Sequence, residues 1–122
     1  MTTYELMLKI KDTLESEGFV TKTHKSKDIK PFEYDGEARK EEKSWIDMNG
    51  NREITSGYII RFKVVHALNG RENKSVDVMV YEDKDRFMKK LITERFNVDF
   101  SEKQYQNRMK KVLEYYDSQE LW

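Results

Sequence analysis

The chain has 122 residues, one proline, no cysteine, and 23 acidic side chains against 23 basic ones. The missing thiols exclude disulfides, thiolate catalysis and cysteine metal sites, and give no sign of an oxidising compartment. Charged residues reach 38%, yet Leu, Ile, Val and Phe together number 28 and the net charge is zero, which excludes the composition of a disordered chain.

The length suits a single domain, 1–122, large enough to bury about 65% of its unfolded surface. With no charged-then-apolar leader and no apolar run of about 18 residues, the expected setting is soluble and cytoplasmic. Thr2 and Glu5 form a capping box, with Met1 and Leu6 spaced for a hydrophobic staple, so a helix starts at once. Leu6, Met7, Ile10 and Leu14 make its apolar stripe, and Gly18 suits a left-handed C-terminal residue. Phe19 to Thr23 reads as a short strand. From His24 to Lys43 the periodicity disappears, and this polar stretch with Pro31 and Gly36 is expected to be a mobile loop at about 24–43. Ser44 to Met48 is the next strand, and Asn49-Gly50 is a two-residue turn into Arg52 to Thr55, pairing Trp45 with Ile54 and Asp47 with Arg52. Ser56-Gly57 then breaks or bulges the chain.

Tyr58 to Glu82 reads as a hairpin whose register follows from burial. Tyr58, Ile60, Phe62 and Val64 share one strand face, and Val76, Val78 and Val80 share a face of the next. A two-residue Asn69-Gly70 turn would set Phe62 opposite Asp77 and split these faces. A three-residue Leu68-Asn69-Gly70 loop pairs Phe62 with Val76, Ile60 with Val78 and Tyr58 with Val80, and is preferred. The other face then sets Arg61 opposite Asp77 and Ile59 opposite Met79. Because it holds Ile59, Met79 and Tyr81, a helix is expected to cover part of it.

Asp83 can cap a helix over about Lys84 to Phe96, with Phe87, Met88, Leu91 and Ile92 on one face and Asn97 at its end. Ser101 and Gln104 form a second capping box, with Phe100 and Tyr105 as the staple. Tyr105, Met109, Val112 and Tyr116 recur at helical spacing to about Ser118. The expected fold is therefore α+β, with an N-terminal helix, an antiparallel meander of three to four strands and two C-terminal helices packed on the sheet.

Chemical motifs are scarce, and no catalytic residue, metal ligand set or cofactor is assigned. His24 and His66 are far apart in sequence, so no local spacing announces a metal site. His66 falls opposite Glu72 at the hairpin rim, where a solvated pair is preferred over an acid–base pair. Asp47 to Asn51 resembles the start of a calcium loop, but Arg52 stands where the turn needs Gly and Tyr58 where the bidentate Glu belongs. Asn73-Lys74-Ser75 matches a glycosylation sequon by chance. Phosphate loops, nucleophile elbows and zinc-protease helices are absent from the sequence.

Function is thus read from surface features. Lys84 to Lys111 carries nine basic residues against four acidic, whereas Pro31 to Gly57 carries four against seven. Lys89, Lys90, Arg108, Lys110 and Lys111 are candidates for meeting nucleic-acid phosphates, although zero net charge over the domain disfavours that reading. Trp45, Tyr115, Leu121 and Trp122 are the candidates for a protein partner, since Trp and Tyr are enriched at interface hot spots. The leading expectation is a small non-enzymatic binding protein, an accessory, inhibitor or assembly subunit of the kind phages and mobile elements encode. Nucleic-acid binding, an enzyme site assembled only in three dimensions, and a homo-oligomer remain the alternatives.

Overall fold

The computed structural model describes residues 1–25, 34–40, 44–46, 54–65, 74–84 and 87–119. Helix α1 (Thr3–Ser16) begins at the expected capping box, in which Thr2 accepts from the Glu5 N–H at 3.1 Å and Glu5 accepts from the Thr2 N–H at 3.2 Å. It ends as Gly18 predicts. At φ +93° that glycine donates to Glu15, while Phe19 donates to Leu14, which together satisfy carbonyls the helix leaves open. Helix α2 (Glu102–Ser118) starts from the second capping box, Ser101 with Gln104.

Six described strands lie between the helices, all paired antiparallel: β1 (Val20–Lys25), β2 (Tyr34–Arg39), β3 (Ser44–Ile46), β4 (Ile54–Val65), β5 (Ser75–Lys84) and β6 (Phe87–Asn97). The main sheet runs β1-β2-β4-β5-β6. Strand β3 joins β4 beside its start, so β2 and β3 lie end to end along one edge of β4.

Both helices pack on one face. Even-numbered residues of β4 and β5 point to it, and Ile60, Phe62, Val64, Val76, Val78 and Val80 meet Leu6, Met7, Ile10 and Leu14 of α1 and Tyr105, Met109, Val112 and Tyr116 of α2 in a single core. The helices also bind each other. Tyr105 Oη shares a hydrogen bond with Thr13 Oγ1 at 2.7 Å and donates to the Lys9 carbonyl at 3.2 Å, and burial pushes its pKa up to about 12. Lys9 pairs with Glu102 and holds that carboxyl below the usual carboxylate range.

Four expectations need correction. The first concerns Lys84 to Phe96, which is no helix: β5 continues to Lys84, and Phe87–Asn97 forms β6 along it. Pairing satisfies the backbone groups on that side of β5, and Ile92 and Phe96 turn inward with Glu94 between them, which overrides the helical spacing of Phe87 and Leu91. Among the described residues a single C-terminal helix follows, not two, and the sheet exceeds three to four strands.

The second is the hairpin register. Apolar faces align as expected, but Phe62 pairs with Val78, Ile60 with Val80 and Tyr58 with Glu82. This two-residue slip keeps every face and gives Val64 the apolar partner Val76 in place of Lys74. The expected turn at 68–70, with His66 and Glu72, lies outside the described residues. The third is the polar stretch 24–43, where Tyr34–Arg39 forms β2. Its inward residues are Gly36 and Ala38, small enough to lie beneath core side chains.

The fourth is the first hairpin: Ile54 pairs with Ile46 and Trp45 with Ser56. That leaves Thr55 without an opposite residue, a bulge beside Gly57 at φ +145°. Asp47, Arg52 and their turn lie outside the described residues. No described helix covers the second sheet face either. There Arg39 binds Asp83 at 3.0 Å, Arg61 sits over Tyr81 and Arg95 binds Asp77 at 2.9 Å, around buried Ile59 and Met79.

Candidate interaction surface

Strand β6 ends the sheet, and no described strand pairs with its outer edge. Among the described residues, its backbone N–H and C=O groups on that side meet no other strand. Its first four residues, Phe87, Met88, Lys89 and Lys90, are all exposed, with Phe87 at 71% and Met88 at 40%. Two adjacent large apolar side chains left in water on an edge strand are the unusual feature, since lone exposed apolar residues are ordinary.

A bulge separates this exposed half from the core-facing half. Val80 pairs with Ile92 and Tyr81 with Lys90, so Leu91 is the extra residue. Below the bulge Phe87 and Lys89 lie on the helix side, Lys89 opposite Glu82, while Met88 and Lys90 lie on the other side. Each side of the edge thus carries one apolar and one cationic side chain.

Beyond the bulge, Glu94 accepts from Arg108 of α2 at 2.9 Å and ties the helix flank to the strand. An open concavity of about 500 Å³ runs along that flank, lined by Phe100, Gln104, Asn107, Arg108, Lys111 and Glu114. Arg108 also lies over the Phe100 ring, 5.8 Å from its centroid. Comparison with family models, curated proteins and solved structures finds no match to this chain. Its chemistry must therefore be read from the side chains alone.

Several cations are already committed. Arg95 is held by Asp77, whose carboxylate raises the guanidinium pKa; Arg108 is held by Glu94, and Lys110 lies 3.7 Å from Glu114. Lys89, Lys90 and Lys111 are exposed and make no ion pair among the described residues. Lys89, opposite Glu82, and Lys90 thus carry exposed positive charge beside Phe87 and Met88, and Lys111 carries it on α2. No group of three or more metal-ligating side chains exists among the described residues, and none of their helices is long and apolar enough to cross a membrane.

The residues expected from sequence distribute unevenly. Of the partner candidates, Tyr115 is half-buried against the core, Trp45 lies on β3 with a side chain outside the described set, and Leu121 and Trp122 lie outside the described residues. Of the basic candidates, Lys89 and Lys90 sit on the β6 edge rather than on a helix, while Arg108, Lys110 and Lys111 are on α2 as expected. Phe87 and Met88 were missed. No local signal marks them, because Ile92 and Phe96 stand four residues apart, a spacing a helix shares, and Glu94 breaks the apolar alternation between them.

Proposed function

We propose that the protein is a small binding protein that acts through a protein partner, as an accessory, inhibitor or assembly subunit, and that the partner docks along the outer edge of β6. The observation that carries this is the adjacent pair Phe87 and Met88, exposed at the start of an edge that no described strand pairs. Strand addition gives affinity through main-chain hydrogen bonds, while flanking side chains select the partner.

Capture from source-cell extract with the tagged full chain tests the reading. The wild type should recover one protein stoichiometrically, and a Phe87→Ser, Met88→Ser double variant should lose at least about tenfold of it. These side chains lie outside the core, so circular dichroism should stay unchanged. No specific protein recovered by the wild type would overturn the reading. Equal recovery by the variant would move the interface away from β6.

Nucleic-acid binding is the second reading, favoured by Lys111 and the Arg108–Phe100 pair lining the α2 concavity. The wild type should then be retained on single-stranded DNA at low salt and released steeply as salt rises, and Lys110→Glu with Lys111→Glu should abolish retention. Absence of retention at low salt would end it.

A further inference from the structure

Resting on the partner-binding reading above, we infer that the segment received by β6 is extended and acidic, carrying two consecutive carboxylates beside two apolar residues. The inference comes from the order Phe87-Met88-Lys89-Lys90 on the exposed half of the edge. Side chains alternate across a strand, so Phe87 and Lys89 project to one side of the sheet and Met88 and Lys90 to the other. An added strand meets one apolar side chain and one ammonium on each side. Its complement, read antiparallel, is acidic, acidic, apolar, apolar.

Charge selects this occupant over a second copy. Antiparallel pairing of two β6 edges through Ile92, with Leu91 as the extra residue, would set Lys89 against Glu94 of the copy, but that carboxylate already accepts from Arg108. The same register sets Lys90 against Thr93 and Met88 against Arg95 of the copy, which leaves one ammonium without a carboxylate and one apolar side chain without an apolar partner. Lys111 on α2 adds a further exposed positive charge that makes no ion pair among the described residues.

Charge also favours a carboxylate-bearing segment over a nucleic acid. A nucleic-acid backbone has no main-chain donors and acceptors to extend the sheet, and it would leave Phe87 and Met88 without apolar partners. The opposite edge of the sheet is a poorer receiver. Strand β1 is six residues long, Thr21 near its start is bonded to Glu15 of α1, and the one large apolar side chain it exposes among those described is Val20.

The experiment is a titration of the isotope-labelled full chain with the acetylated octapeptide Thr-Thr-Glu-Glu-Val-Ile-Thr-Thr, followed by backbone amide shifts. Shifts should concentrate at 87–91, weaken several-fold between about 50 and 500 mM salt, and fall about tenfold in affinity in Lys89→Glu, Lys90→Glu protein. A counterpart with Lys-Lys for Glu-Glu should produce none of this. No response of β6 up to about 5 mM peptide, or an equal response to the Lys-Lys counterpart, would overturn the inference. So would tighter occupation of the same amides by oligothymidine, or a dimer in sedimentation that masks them. If capture of a cellular partner survives Lys89→Glu, Lys90→Glu, the acidic-strand inference falls while the partner reading stands; if nothing is captured by the wild type, the partner reading itself falls.

Discussion

Replacing Gly36 by Ala tests the least expected part of the fold, the crossing of polar strand β2 over Phe62. Gly36 and Phe62 are directly opposite across the β2–β4 pair, and a Cβ at Gly36 would lie 2.3 Å from two carbons of the phenyl ring. That ring is fully buried, so it has no free space into which to swing. Overpacking of this kind costs about 1–3 kcal/mol, and the reduced freedom of the unfolded chain returns about 0.4–1 kcal/mol. The net expectation for Gly36→Ala is a loss of about 1–2 kcal/mol, or roughly 4–8 °C in Tm.

Urea unfolding followed by circular dichroism measures it, with Phe62→Leu and the double variant completing a cycle. In the Phe62→Leu background the smaller side chain leaves room for the methyl group. There Gly36→Ala should cost less than about 0.5 kcal/mol, a coupling of about 1 kcal/mol. Wild-type stability in Gly36→Ala, or the same loss in both backgrounds, would refute the close approach and with it the register of β2.

Two further perturbations follow from the helix contacts. Tyr105 has a native pKa of about 12, above its unfolded value near 10, so its stabilising contribution is complete below about pH 10 and is lost as pH rises towards 12. Denaturant midpoints measured from about pH 9 to 12 should therefore fall more steeply for wild type than for Tyr105→Phe, which should itself cost about 1 kcal/mol at neutral pH; parallel profiles would remove Tyr105 as the source. Ser101→Ala deletes the cap of α2 and should cost about 1 kcal/mol in the same assay, with Ser101→Asp restoring most of it.

What could be read from the residues depended on whether the signal was local. Both capping boxes, the stripes of α1 and α2 and the glycine stop at Gly18 are short-range features, and all are present in the structure. The shared faces of β4 and β5 were legible because parity is fixed by alternation, whereas the two-residue slip was not, because either register buries the same face. Strand β2 was hidden because its inward positions, Gly36 and Ala38, are small; the apolar mass above Gly36 comes from Phe62 on another strand. Strand β6 was hidden because the Leu91 bulge shifts its alternation by one residue and mimics helical spacing. The basic residues of the candidate surface were legible as composition. Their placement on an exposed edge beside Phe87 and Met88 required the sheet order.

Hydrogen exchange on the full chain, free and bound to the protein it captures, tests docking at β6 most directly. Strand addition predicts that amides within 87–91 gain protection by at least about tenfold in the complex, while the amides of β4 and β5 change little. Protection confined to the opposite sheet face, around Arg61 and Tyr81, with β6 exchanging at its free rate, would contradict it.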